Sequence, residues 1–226
     1  MKTQIRLLRG ALATMFRRAA VSFKTRDAIF REIYQKNRWG SRESRSGIGS
    51  TVSSTQALRQ ELPPLLARYG IRSLLDVPCG DFNWMQLLDL PGIAYVGADI
   101  VPELIEENRR RYQNDRRRFD RLDIVADPFE AFDLVMVRDL FNHLPAKDVI
   151  LALKGIRASG STYLLAGHYT RVPANRDVYT GGSRLLNLCL PPFCLPPPLE
   201  VIVENYEPHR EFGRSMALWK LEAIGT

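Results

Sequence analysis

Between Ile71 and Leu221, short apolar runs alternate with amphipathic helical stretches, and three successive runs each close on an aspartate. Ser73–Val77 carries Asp76, Gly92–Ile100 carries Asp99, and Phe119–Ile124 carries Asp123. Each run is too short for a helix and reads as a buried strand. The helix patterns between them, such as Glu103–Tyr112, make the connections crossovers, so the strands are parallel and their ends share one rim. Phe132–Val137 and Ser161–Gly167 continue the series around a helix at Ala146–Arg157. Leu199–Glu204 and Ser215–Leu221 are two further strands with no helix-length segment between them, which predicts an antiparallel pair at one edge. The expected fold is α/β, with a Rossmann-like, mostly parallel seven-stranded sheet.

Charge bears on what such a domain meets. The chain has 226 residues and a formal charge of +7, a balance that points to nucleic acid or membrane if it is spread over the surface. It is not spread. Lys2, Arg6, Arg9, Arg17, Arg18, Lys24 and Arg26 lie in the first 26 residues, which hold no acid. Without them, 25 basic residues face 25 acidic ones, so a nucleic-acid partner is not expected. Ile5, Leu8, Leu12, Met15, Phe16, Ala19 and Phe23 fall on one helical face. The segment reads as a basic amphipathic helix, suited to packing on the domain, to a membrane surface or protein partner through residues 1–24, or to mitochondrial targeting in a eukaryote. A cytoplasmic location, peripheral at a membrane if the helix docks there, is the expectation otherwise. Cys79, Cys189 and Cys194 make no disulfide framework, although the last two could pair under oxidation, and no spacing suggests a metal.

A second helix is predicted over Thr25–Lys36, then a Ser/Gly-rich loop over Ser41–Ser54. A further helix runs from about Thr55 to Tyr69, with Pro63-Pro64 expected to kink or restart it. Residues 1–54 thus form a helical extension with a lid loop, ahead of a domain over 55–226.

The densest chemistry lies in Leu74–Trp84, LLDVPCGDFNW. A strand ends in an acid and a tight turn with Gly80 follows, the geometry that brings backbone close to a ligand at the carboxyl end of a strand. Asp99, 23 residues on, is placed to accept from a ribose hydroxyl pair. Together these segments resemble the class I S-adenosylmethionine-dependent methyltransferases. LLDVPCGD resembles their first motif, YVGADI the strand with the ribose-binding acid, Asp123-Ile124 the adenine-contacting pair, and DLVMVRDLFNHLP the fourth-strand motif. NRWGSRES, PCGDFNW and GADIVPELIE resemble a bacterial-type subgroup without an agreed substrate. The resemblance covers roughly Leu58–Leu221 and implies S-adenosylmethionine as cofactor. It implies a cofactor site from Ser50, Asp76, Cys79, Gly80, Asp81, Asp99, Ile100, Asp123, Ile124 and Arg138. Pro78 and Phe82 stand where glycines are usual. A pyrophosphate needs those glycines more than a phosphate-free cofactor does, so the departures argue against a dinucleotide. They also leave Asp81 to accept from the cofactor's ammonium.

Each feature has a plainer reading. Asp76 then caps the following helix or holds the turn, Asp99 is a turn residue, and Asp123 is a strand-end acid. Arg109–Arg111 and Arg116–Arg118 resemble a phosphate clamp, but interleaved acids make a solvated face the better reading. Methyl transfer needs a base only where the nucleophile must lose a proton. Asp139, His143 and His168 are the candidates by position, with an Arg138–Asp139 pair and a packed histidine as structural alternatives. Acceptor recognition is expected from Tyr34, Arg38 and Trp39 in the lid region, and from Arg176 and Arg184 in the long Tyr169–Pro198 segment. The expected activity is methylation of an oxygen or nitrogen nucleophile on a small polar or saccharide-containing acceptor. Aminopropyl transfer, or cofactor binding without turnover in an assembly protein, are the alternatives.

Overall fold

The computed structural model describes residues 24–204 and 207–225, so most of the basic N-terminal segment lies outside the described residues. Strands β1 (Ser73–Asp76), β2 (Ala94–Asp99), β3 (Arg117–Arg121), β4 (Leu134–Val137), β5 (Tyr163–Tyr169), β6 (Glu200–Val203) and β7 (Arg214–Lys220) form one sheet in the order β3-β2-β1-β4-β5-β7-β6. The first five are parallel, and β7 runs antiparallel between β5 and β6. β1 and β4 are buried because both faces of a parallel sheet are covered. The expected antiparallel edge pair is present.

Helices α1 (Arg26–Gln35), α2 (Gln56–Arg68), α3 (Pro102–Tyr112) and α4 (Ala146–Ala158) cover the sheet. Ile29, Phe30 and Ile33 of α1 pack in the same core as the strands. α2 stays one helix despite the two internal prolines. Leu58, Leu62, Leu65 and Leu66 are at most 1% exposed and contribute about 2 kcal/mol each. Their sum offsets the roughly 3 kcal/mol that each interior proline costs.

β3 begins and ends earlier than its apolar pattern predicts. Only Phe119 is buried in RRFDR, and the charged remainder protects a sheet edge. Asp123 therefore sits two residues beyond the strand. The arginine runs pair locally: Arg109 with Glu106, Arg111 with Glu107, and Arg118 with Asp120 and Glu130. They are a solvated face.

Strand order reverses at β1, whose neighbours are β2 and β4. The crevice outside the carboxyl ends of such strands is where open α/β sheets bind ligands.

Candidate active site

A cleft opens at that switch point, with Asp76 to Asp81, Asp99, Ile100, Asp123, Ile124, Arg138 and Asp139 in its lining. It encloses about 970 Å³ of atom-free space, counting its open mouth. α1 and the loop after it roof the cleft through Arg26, Phe30, Tyr34, Trp39, Ser46 and Ser50.

The turn after β1 is set by unusual backbone. Gly80 has φ +54° and Phe82 φ +58°, a region glycine enters without strain and other residues rarely. A Cβ on Gly80 would fall 2.2 Å from Ser46 Oγ, so the turn also admits the lid. Phe82 holds its conformation through burial among Tyr95, Tyr112 and Phe119, at ring distances of 5.3, 5.1 and 5.2 Å. An aromatic nest thus replaces the usual glycine.

Asp76 and Asp99 end neighbouring strands and are both buried. Asp76 accepts from the Tyr95 hydroxyl at 2.7 Å. Burial nevertheless pushes its carboxyl up to about 7, against that bond and the Arg138 charge. Asp99 accepts from the backbone N–H of Val101 at 3.0 Å and of Gly80 at 3.3 Å, and burial pushes it up to about 6. Asp123 differs. Arg26 grips it as a fork, Nε to Oδ2 at 3.0 Å and Nη2 to Oδ2 at 2.9 Å, and reaches Asp148 at 3.2 Å with Nη1. Asp81 lines the cleft, but its carboxylate accepts from Ser44 Oγ (2.9 Å), the Arg45 N–H (2.8 Å) and Ser46 Oγ (3.1 Å). It latches the lid loop to the first turn. Asn83 adds a bond to the Ser50 carbonyl at 3.0 Å. No local motif marks Arg26, Ser44 and Ser46, because their partners lie 35 to 97 residues away.

A second chamber adjoins the cleft and shares Trp39, Ser46 and Asp139 with it. A four-charge network forms part of its wall through Asp139 and Arg214. Arg138 donates to Glu204 from Nε (2.9 Å) and Nη2 (2.6 Å), and from Nη2 to the Gly49 carbonyl (2.8 Å). Arg214 donates to Glu204 at 3.0 Å and to Asp139 at 2.7 Å, and Arg138 lies 3.3 Å from Asp139. Burial alone would raise the Asp139 carboxyl, but Arg214 and Arg138 outweigh it and hold it well below the usual carboxylate range. Asp139 also has φ +54°, so its position is enforced by these partners. A carboxylate so depressed is a fixed anion and a poor proton acceptor.

His143 lines the chamber. Its Nδ1 lies 2.6 Å from the Gly182 carbonyl, its Nε2 3.2 Å from Asn142 Nδ2, and its ring 5.3 Å from that of Trp39. Burial lowers its pKa.

Other expected residues fall elsewhere. His168 lies within β5, not after it, and is buried edge-on against Trp219 with Nδ1 accepting the Leu188 N–H at 3.2 Å. Burial lowers it to about 4; it is a packed core histidine. Arg38 is exposed and pairs with Glu32 at 2.5 Å. Arg176 is exposed, and its carbonyl accepts from Arg184. Arg184 borders the second chamber but works as a brace, donating to Asp177 (3.0 Å) and to the Leu144 carbonyl (2.7 Å). Of the expected acceptor residues, Tyr34 and Trp39 line the cleft.

The sequence matches the family described as "Methyltransferase domain" over residues 74–159. The match spans β1 to the end of α4, the part that builds the cleft floor. No curated protein matches the chain. Among solved structures, the magnesium protoporphyrin IX methyltransferase ChlM of Synechocystis PCC 6803 with bound SAM is similar over 86% of this chain and 96% of its own, at 13% identity and a TM-score of 0.55. TehB of Haemophilus influenzae is similar over 71% of this chain and 61% of its own, at 15% identity and a TM-score of 0.51. At these identities the likeness is one of fold, and it extends beyond the methyltransferase domain match to most of the sheet.

Proposed function

We propose that the protein binds S-adenosylmethionine in the cleft and transfers its methyl group to an oxygen or nitrogen nucleophile of a small polar or saccharide-containing acceptor. The observation that carries this reading is the pair Asp76 and Asp99, two buried carboxylates at adjacent strand ends with raised pKa values. Such groups favour a ligand that brings its own donors or positive charge. S-adenosylmethionine brings a ribose diol, an ammonium and a sulfonium.

In this reading Asp99 accepts from the ribose hydroxyls, and Ile100 and Ile124 flank the adenine. The turn from Cys79 to Asp81 faces the methionine portion, with Ser50 on the lid side. Asp123 reaches the adenine amino group only by sharing or releasing Arg26. Arg138 holds Asp139 and the lid carbonyl, so its part is to position. Since the donor methyl is already activated by its sulfonium, the protein supplies orientation and exclusion of water. The roof over 26–50 suits the second task.

The test is transfer of label from methyl-labelled S-adenosylmethionine to fractions of cell extract. Label in a small-molecule or glycan fraction is expected. Label confined to protein or nucleic acid, or binding with no turnover, overturns the acceptor part.

A further inference from the structure

The second chamber is set apart from the cofactor cleft by Trp39 and Asp139, which border both. Two of its features bear on what it accepts. First, its arginines and Asp139 are already paired: Asp139 with Arg214 and Arg138, Arg214 also with Glu204, and Arg184 with Asp177, and His209 is a further titratable group in the lining beside His143. A charged acceptor would have to compete with an ion pair already made, at a desolvation cost. Second, the tautomer of His143 is fixed. The Gly182 carbonyl, 2.6 Å from Nδ1, can only accept, so Nδ1 carries the hydrogen and Nε2 the lone pair. Asn142 Nδ2, at 3.2 Å, satisfies that lone pair until another donor replaces it. Trp39, half-buried and tilted against the His143 ring, offers the apolar surface typical of a small-ligand site with few polar groups.

Resting on the methyl-transfer reading above, we infer that this chamber takes a neutral hydroxylated ring, such as a sugar, and that His143 Nε2 accepts the proton of the reacting hydroxyl. The acceptor oxygen forms its bond to the methyl carbon while the carbon–sulfur bond breaks and the sulfur keeps the electron pair. The hydroxyl proton passes to Nε2. The imidazolium so formed keeps its Nδ1–H on the Gly182 carbonyl, and Asp139 in the same wall stabilises its charge. Burial, which lowers the His143 pKa, keeps the ring neutral and able to accept near pH 7.

The experiment uses the full chain, labelled S-adenosylmethionine, and methyl glycosides of common hexoses and deoxyhexoses, each beside its uronic acid and its amino sugar. Transfer to at least one neutral glycoside at tenfold or more above its charged relatives is expected. His143→Asn should lower kcat by about 10²-fold, the low end for a general base. It should leave KM within a few-fold and abolish the acid limb of the pH–rate profile. His143→Gln and S-adenosylhomocysteine affinity control for folding. Preference for a uronic acid or amino sugar overturns the inference. So does wild-type rate or an intact acid limb in the His143 variants, or no transfer to any neutral glycoside by protein that binds S-adenosylhomocysteine. Failure to bind S-adenosylhomocysteine at all instead removes the methyl-transfer reading beneath it.

Discussion

The two halves of the rim treat the carboxylates at their strand ends in opposite ways. On the β1–β2 side, burial raises Asp76 and Asp99 to about 7 and about 6. On the β4–β7 side, half-buried Asp139 is driven down by Arg214 and Arg138. The first pair has capacity left for a ligand's donors. On the second side the charges are committed to holding β4, β7, the chain after β6 and the lid together. The contrast teaches that burial of an acid near a strand end does not by itself mark a binding residue; what matters is whether the fold has already supplied a cation.

Breaking the second side should have the largest effect on stability. Glu204→Gln leaves Arg138 and Arg214 buried with only Asp139 between them. A loss of about 3–5 kcal/mol is expected for a broken buried pair, about 10 °C or more in Tm for a chain of this size. A thermal melt checks it, and a drop of only a degree or two would contradict the network's role. On the first side the damage should fall on affinity. Asp99→Ala removes two charge-assisted hydrogen bonds to the ligand and should weaken S-adenosylhomocysteine more than tenfold.

Asp76 supplies a test of opposite sign. Its folded pKa lies above the ordinary carboxylate value, so between about pH 4 and 7 the folded state holds a proton that the unfolded chain has lost. Its contribution therefore falls as pH rises through that window, by at most about 1.4 kcal/mol per pH unit. Asp76→Asn should raise Tm most above pH 7 and flatten the profile; melts across pH 5 to 8.5 decide it. The smallest expected effect belongs to the latch. Asp81→Ala removes three bonds to the lid loop and should speed S-adenosylhomocysteine dissociation several-fold in stopped flow. An unchanged rate would mean that the loop does not close over the ligand.

The first side was the more legible in sequence. Strand periodicity and the spacing of Asp76 and Asp99 place both on one rim, because a parallel sheet leaves no other arrangement. Asp123 was misplaced on a strand since β3 is a charged edge with a single buried residue, which apolar patterning reads poorly. The second side was largely hidden. Its chemistry rests on contacts such as Arg138 with Glu204, 66 residues apart, and Asp139 with Arg214, 75 apart. No local pattern encodes them. His168 misled because a histidine at the end of an apolar run has the same local sequence whether it faces a site or, as here, the core. The Arg26 fork on Asp123 left no trace in either segment.

The central claim is that the raised carboxylates on the first side receive the cofactor. Calorimetric titration of S-adenosylhomocysteine into wild-type protein and Asp99→Asn, at pH 8 and pH 5.5, tests it most directly. The ligand should favour the ionised carboxylate of Asp99, whose pKa lies near 6, so wild-type affinity should be strong at pH 8 and fall several-fold at pH 5.5. Asp99→Asn should bind weakly at both. Wild-type protein with no binding at millimolar ligand at pH 8, or a variant that matches it at both pH values, would contradict the account.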